Sequence, residues 1–195
     1  MKLPLSFYRR PDVVQIAKDL IGKYIFTRID GEVTSGIIVE TEAYEGATDR
    51  ASHAYGNRRT ARTEVMFAEG GVAYVYLCYG VHSLFNIVTN RKGIPHAILL
   101  RGIFPVGGIE VMKRRAMKTK IGIASGIGPG NASKLLGIHY SLSGTDLMGG
   151  KIWLEDRGLD LSAEIITGQR IGIAYAGPDA LLPYRFYVRP EKIRA

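Results

Sequence analysis

The chain has 195 residues, of which 46% are hydrophobic, and this size and composition predict one compact domain over residues 1–195. Its single cysteine, Cys78, excludes an intramolecular disulfide and any zinc site built on several cysteines. No apolar run approaches the roughly 18 residues of a membrane-spanning helix, which predicts an intracellular protein with no membrane partner. The net charge of +8 favours a polyanionic partner, nucleic acid first, although ordinary solvated surfaces could carry the same excess.

The first half of the chain predicts one helix followed by a series of strands. The helix begins after Asp12, a residue typical of helix N-caps, and its apolar residues repeat at helical spacing until Gly22 ends it. Residues 46–70 have little apolar periodicity and predict a polar, basic loop. Apolar segments bounded by turn residues predict five strands, at residues 23–29, 36–44, 72–78, 83–89 and 96–103.

The second half of the chain predicts fewer regular elements. A helix is expected from about residue 108 to 118, a glycine-rich loop over residues 122–130, and a short helix from Asn131 to Leu136. The last quarter mixes strands and turns. Because many neighbouring strands are joined by short connections, we expect an α+β fold in which helices surround a curved, mainly antiparallel sheet.

Two acidic residues interrupt the predicted strand at 36–44. Glu40 and Glu42 share one face of that strand with Tyr44, because side chains alternate along a strand. On a solvent-facing edge these carboxylates would need no partners, whereas on a buried face both would need them. The buried arrangement predicts either a general base beside an aromatic wall or a pair of acids like that of a glycoside hydrolase. We expect Glu40 to be a structural hydrogen-bond acceptor.

The turn between the strands at 72–78 and 83–89 places Tyr79 beside Gly80, a residue that tolerates unusual dihedral angles. A tyrosine at such a turn packs poorly into a core but can push into another molecule, as side chains that wedge between DNA base pairs do. We expect Tyr74, further back on the same hairpin, to be a partly buried aromatic residue.

The sequence contains no clear motif for a metal or a nucleotide cofactor. The histidines His53, His82 and His96 lack the spacing of the metal-binding HExxH motif. The segment Gly126–Gly130 lacks the lysine of a P-loop, although a Gly-Pro-Gly turn leading into a helix can present backbone amides to a phosphate. We therefore expect neither a metal ion nor an organic cofactor.

Eight stretches of the chain resemble the alkyladenine DNA glycosylase family, whose members are also called 3-methyladenine or methylpurine DNA glycosylases. They occur in the family's order and span about residues 12–189. ETEAY followed by YVYLCYG at this spacing is the most specific part of the resemblance. The stretches are IVETEAY (38–44), ASHA (51–54), RRTARTEVMF (58–67), AYVYLCYG (73–80), FNIV (85–88), AILLRGIFP (97–105), GPGNASKLLGI (128–138) and RIGIAYAGPDALLPYRFYV (170–188).

The resemblance implies catalytic roles for three residues and a DNA-inserting role for a fourth. Glu42, the second acid of ETEAY, matches the general base that activates the attacking water. Arg101 matches an arginine that helps to hold this water, and Ile171 matches a residue that contributes its backbone carbonyl. Tyr79 matches the residue that intercalates where the damaged nucleotide has left the helix, which implies a protruding, DNA-inserting β-hairpin.

The resemblance also implies a pocket for the flipped base. Tyr44, His53 and Tyr76 match the walls of this pocket. Ala51 matches a backbone contact to the base, and Asn86 matches an asparagine that screens out bases with a guanine-type amino group. Two departures from the family pattern lie outside this set, since Ala61 stands where a proline is common and Asn131 where a lysine is common. Both changes could alter DNA affinity.

The implied activity is that of a base excision repair enzyme acting on double-stranded DNA that contains damaged purines. The enzyme would flip an alkylated or deaminated purine out of the duplex, hydrolyse the N-glycosidic bond with water activated by Glu42, and leave an abasic site. We expect it to be monofunctional and monomeric. Its place would be the cytoplasm, at the bacterial nucleoid, or the nucleus in a eukaryote. A non-catalytic nucleic-acid-binding module is the alternative, because it would keep the charge and Tyr79 without needing Glu42.

Overall fold

The computed structural model describes residues 1–193. Eight strands lie at Tyr24–Ile29 (β1), Glu32–Tyr44 (β2), Val72–Cys78 (β3), His82–Thr89 (β4), His96–Gly107 (β5), Ile152–Glu155 (β6), Ile166–Gly168 (β7) and Arg185–Tyr187 (β8). Four α-helices lie at Leu5–Tyr8 (α1), Val13–Asp19 (α2), Ile109–Ala116 (α3) and Pro129–Leu136 (α4). Short 3-10 helices occupy parts of the connections, at Tyr55–Asn57, Glu64–Phe67, Ile123–Gly126, Tyr140–Leu142, Ser162–Glu164, Ala174–Leu181 and Pro190–Lys192.

The sheet is built around its longest strand, β2. The strand order is β3-β4-β5-β2-β1-β6, and every pairing between named strands is antiparallel. Along one edge β2 pairs with β5, while along the other it pairs first with β1 and then, at Glu40–Glu42, with β8. The predicted α+β fold with a mainly antiparallel sheet is therefore confirmed.

Several element boundaries differ from those predicted. Strand β2 begins at Glu32 rather than at residue 36, because its polar start pairs with β1 across a tight turn. Strand β5 continues past residue 103 to Gly107, since β2 runs beside it as far as Ser35. Helix α4 starts at Pro129 rather than Asn131, because proline fits the first turn of a helix. The helix predicted at 108–118 is shorter, and helix α1 was not predicted at all.

The two faces of the sheet carry different kinds of residues. One face packs apolar side chains such as Ile87 on β4 and Ile98 on β5 against helices α2 and α4, and this is the main hydrophobic core. Because side chains alternate along each strand, the neighbouring residues Asn86 and Leu99 lie on the opposite face. The candidate site occupies that second face.

Strands β3 and β4 form the predicted hairpin. At its turn Tyr79 and Gly80 have successive positive φ angles of 51° and 72°, and the amide of Val81 donates to the carbonyl of Cys78 at 3.1 Å. Positive φ at both central positions is what a type I′ turn requires, and Gly80 adopts it without a steric penalty. The Tyr79 side chain is 95% exposed at the turn. Its insertion into DNA stays a prediction.

The helices described for residues 1–193 are all too short or too polar to cross a membrane.

Candidate active site

A row of four facing residues crosses the sheet on the site face. Tyr74 on β3 pairs with Asn86 on β4, Asn86 pairs with Leu99 on β5, and Leu99 pairs with Glu42 on β2. Directly paired residues in antiparallel strands place their side chains on the same face, a few ångströms apart. The register thus brings together residues that lie more than 50 positions apart in the chain, and it sets Glu42 at one end of the row.

The Glu42 carboxylate is fully buried and held by three donors. Its Oε1 accepts a hydrogen bond from the backbone amide of Ile171 at 2.8 Å. Its Oε2 accepts from the Tyr44 hydroxyl at 2.8 Å and from Arg101 Nη1 at 3.3 Å. Burial raises the pKa of Glu42 above its ordinary value, and the charge of Arg101 and the hydrogen bonds from Ile171 and Tyr44 oppose that rise only in part.

Arg101 reaches both acids of strand β2 because of a β-bulge in strand β5. Glu40 pairs with Gly102 and Thr41 pairs with Leu100, so Arg101 is the extra residue between them. Such a bulge places two residues opposite one and re-aims their side chains. Arg101 Nε lies 3.2 Å from Glu40 Oε1, which also accepts from Arg185 Nε at 2.6 Å. Glu40 is therefore bound as a structural acceptor, as its sequence position suggested.

Aromatic rings and one arginine form a wall beside this acid. The rings of His53 and Tyr76 lie 4.7 Å apart at an angle of 79°, and His53 Nδ1 is 2.8 Å from the Tyr74 hydroxyl. The Arg62 guanidinium lies 4.6 Å from the centre of the Tyr76 ring and its Nη2 is 3.1 Å from His53 Nε2. Burial and the charges of Arg62 and Arg58 lower the pKa of His53 to about 4, so the imidazole is neutral at physiological pH.

These residues enclose one cavity of about 380 Å³. Of the nine site residues suggested by the sequence, the cavity is lined by all except Glu42, namely Tyr44, Ala51, His53, Tyr76, Tyr79, Asn86, Arg101 and Ile171. Glu42 lies behind them, bonded to three of the lining residues. Within residues 1–193 the structure contains no group of three or more His, Cys, Asp or Glu side chains that could hold a metal ion.

A sequence model of the family described as methylpurine-DNA glycosylase (MPG) matches residues 6–192. The chain belongs to this family. Membership makes the protein a DNA glycosylase concerned with alkylation damage, with DNA as its substrate. Membership also decides against a glycoside hydrolase that uses Glu40 and Glu42 as its two acids. The contacts of Glu40 agree with this, because it accepts hydrogen bonds from two arginines.

Three bacterial relatives illustrate how fully this methylpurine-DNA glycosylase resembles other members. Each is provisionally named a 3-methyladenine DNA glycosylase. The protein of Chlamydia felis is 41% identical over 191 residues, covering 97% of each chain. The Desulfitobacterium hafniense protein is 38% identical over 98% of this chain and 97% of its own. The Bacillus cereus protein is 42% identical over 97% of this chain and 96% of its own.

The structure also adds contacts that sequence reasoning did not predict for this glycosylase. Ile171 meets Glu42 through its backbone amide, while the expected role of its carbonyl stays a prediction. Tyr175 stands at the rim, where its hydroxyl donates to the carbonyl of Ala51 at 3.1 Å. Arg170 and Asp49 form a buried ion pair next to lining residues of the cavity, Ile171 and Ala51. The only sequence signal for these residues was that Tyr175 and Arg170 belong to the stretch that begins RIGI.

Proposed function

We propose that this methylpurine-DNA glycosylase hydrolyses the N-glycosidic bond of alkylated or deaminated purines in double-stranded DNA and leaves an abasic site. The observation that carries the proposal is the Glu42 carboxylate, fully buried and triply hydrogen-bonded behind a cavity with aromatic walls. A buried, oriented carboxylate is costly for a fold to maintain, and a reaction that needs a fixed negative charge gives it a purpose.

Glu42 has the capacity for the chemistry that this hydrolysis needs. A carboxylate offers about four acceptor positions, and three are occupied by Ile171, Tyr44 and Arg101. The fourth can accept a proton from an attacking water. As the bond to the base breaks, positive charge develops on the sugar, and the carboxylate stabilises that charge as well. The contact of Arg101 with Glu42 supports a role for Arg101 in orienting the same water.

The aromatic wall suits a damaged purine. A planar base could contact the ring faces and edges of Tyr44, His53 and Tyr76. The cavity volume lies within the range of small-molecule binding sites. A purine alkylated at N3 or N7 is cationic, and a cation over an aromatic face gains about 0.5–2 kcal/mol. Such a base is also a good leaving group, so a single carboxylate is sufficient. Release of a neutral lesion such as hypoxanthine would depend more on protonation of the leaving base.

Asn86, which lines the cavity, is held in one orientation. Its amide nitrogen donates to the carbonyls of Tyr74 and Leu84, at 3.2 Å each, and the residue is buried. Because the amide cannot turn away without losing both bonds, it presents a fixed obstacle to a bulky group on the base. This supports the inferred screening against the amino group of guanine-type bases.

The experiment uses duplexes that each contain one defined lesion, under single-turnover conditions. Glu42→Gln should retain lesion binding and lose at least about 100-fold in the rate of base release, the usual scale for a general base. Glu40→Gln, two residues away on the same face, is the matched control. It should lower the melting temperature more than the rate, because the oxygen that Arg101 and Arg185 share stays as an acceptor while its negative charge is lost.

Two results would contradict the proposal. Wild-type protein that releases no base from any alkylated or deaminated duplex would exclude the activity. Near-normal release by Glu42→Gln would leave the activity in place but remove Glu42 from it.

A further inference from the structure

The most deeply buried ion pair that the structure describes joins Arg170 and Asp49. Their side chains are 0% and 1% exposed. Arg170 Nη2 donates to Asp49 Oδ1 at 2.9 Å, and Nη1 donates to Asp49 Oδ2, so the contact is bidentate. Burial would lower the pKa of Arg170, but the hydrogen bonds and charge of Asp49 outweigh this effect and raise it, so the guanidinium stays charged.

Arg170 contacts the backbone and the wall of the site directly. Its Nη1 donates to the carbonyl of Ala43, the residue between Glu42 and Tyr44, at 2.8 Å. Its guanidinium carbon lies 4.8 Å from the centre of the Tyr44 ring. Arg170 thus fixes the end of strand β2 and the Tyr44 ring that this strand carries.

The next residue in the chain links Arg170 to the buried acid. Ile171 follows Arg170, and its amide is one of the three donors that hold Glu42. A one-residue connection transmits any displacement of the Arg170 backbone to this amide. Arg170 Nη2 also donates to the carbonyl of Asp179 at 3.0 Å, which ties down the segment that follows.

Asp49 contacts another part of the site. Its Oδ1 accepts a hydrogen bond from the amide of Ala51 at 2.9 Å, and its Oδ2 accepts from the amide of Glu45 at 3.2 Å. Ala51 lines the cavity, so the same carboxylate fixes both the arginine and a part of the wall.

We propose that Arg170 and Asp49 are positioning residues, which together hold Glu42, Tyr44 and the Ala51 wall in the arrangement needed for base excision. The inference rests on the proposed function. A role in stability alone explains the pair less well, because the cost of removing two charges from water offsets most of their attraction. The planar guanidinium is needed for its shape, since four of its five N–H donors are used in four directed bonds, to Ala43, Asp179 and twice to Asp49.

Arg170→Lys tests the proposal because it keeps the positive charge and removes the planar guanidinium with its directed N–H donors. The single-turnover rate should fall about 10-fold to 100-fold, the scale expected for a small misplacement of reacting groups, while the dissociation constant for lesion-containing DNA changes little. Arg115→Lys is the matched control. Arg115 also bridges two elements, donating to Thr34 and to the carbonyl of Leu135, but it does not contact the cavity. It should lower stability without changing the rate.

A second readout requires no catalysis. Carbon-13 NMR titration of the free proteins should show the pKa of Glu42 higher in Arg170→Lys than in wild type, because the Ile171 amide no longer stabilises the ionised form. The charges of Arg101 and Glu40, which also face Glu42, are unchanged, and displacement of the Tyr44 hydroxyl would raise the pKa of Glu42 in the same direction. Since this measurement uses no DNA, it decides the inference even if wild-type protein releases no base.

If Arg170→Lys does not fold, Asp49→Asn replaces it, with the same loss of rate at unchanged DNA affinity expected. The inference would be overturned if either variant behaved like the Arg115→Lys control, with a lowered melting temperature and a wild-type rate. For Arg170→Lys, an unshifted Glu42 pKa would belong to the same contradicting result.

Discussion

Burial and hydrogen bonding act in opposite directions on the Glu42 carboxyl group. Removal from water disfavours its ionised form, while Arg101, the Ile171 amide and the Tyr44 hydroxyl favour that form. Burial is the larger effect, so the pKa stands above the ordinary value. Tyr44 remains a reliable donor because burial and the neighbouring Glu42 raise its own pKa as well. The carboxylate is therefore more basic than that of an exposed glutamate, which favours proton abstraction.

The raised pKa makes the pH dependence of both rate and stability predictable. The excision rate should fall at acid pH with a midpoint above 4.5, the ordinary value for glutamate. Because the folded state binds this proton more tightly than the unfolded chain, wild type should gain stability relative to Glu42→Gln as the pH falls through the raised pKa. Single-turnover rates and melting temperatures measured across pH check both statements. A midpoint at or below 4.5 would contradict them. Glu64→Gln, an exposed acid, serves as the control.

At the scale of elements, two features of the strands build the site. The register of four strands aligns Tyr74, Asn86, Leu99 and Glu42, and the bulge in β5 turns Arg101 toward the acids. The hairpin of β3 and β4 then places an exposed tyrosine at the mouth of the same cavity. The strand that carries Glu42 and the hairpin that carries Tyr79 thus belong to one continuous sheet.

The hairpin predicts a specific effect of Tyr79→Ala. Without the ring nothing fills the gap left by a flipped nucleotide, so the equilibrium for flipping should fall. The loss should be larger for a stably paired lesion than for one opposite a mismatch, whereas Tyr79→Phe should behave like wild type. Stopped-flow fluorescence of a lesion that brightens on unstacking measures this equilibrium. Equal losses on both duplexes would indicate that Tyr79 acts only through packing.

Local signals predicted the elements better than their pairing. Strand β3 has its predicted bounds because turn residues flank it on both sides, whereas the start of β2 is polar and becomes a strand only through its partner β1. The family resemblance supplied the site residues, yet no local rule gives the bulge that aims Arg101. The only residue in the sequence that points to the bulge is Gly102. A Cβ atom at this position would lie 3.2 Å from the Cβ of Glu40. The pair of Arg170 and Asp49 is a tertiary contact between distant loops, which propensity does not encode.

At the scale of the whole molecule, charge and chemistry are separated. The net charge of +8 supplies affinity for phosphates without regard to sequence, and this term should weaken steeply with salt. The cavity, by contrast, has few charged residues in its lining, Arg62 and Arg101. Binding to DNA and choice of lesion can therefore be altered independently.

The lining also predicts a monofunctional enzyme. Within residues 1–193 no lysine lines the cavity, and arginine stays protonated, so neither offers the amine that a Schiff base with the opened sugar requires. Borohydride added during turnover should trap no protein–DNA adduct, and strand breaks should appear only after hot alkali. A known bifunctional glycosylase treated in parallel serves as the positive control. A trapped adduct on an alkylated-purine duplex would contradict the role given to water activated by Glu42.

Strand β2, which carries Glu42, is hydrogen-bonded along both edges where the acid lies, to β5 on one side and β8 on the other. Local opening of such a strand requires breaking two ladders at once, so its amides are expected to exchange with solvent only when the whole sheet unfolds. The backbone that carries Glu42 is therefore expected to stay in place when the protein adjusts to DNA. Any movement that fits the protein to a bent duplex must occur in parts that are not paired along both edges, such as the Tyr79 turn. Recognition can adapt while the reacting geometry stays fixed.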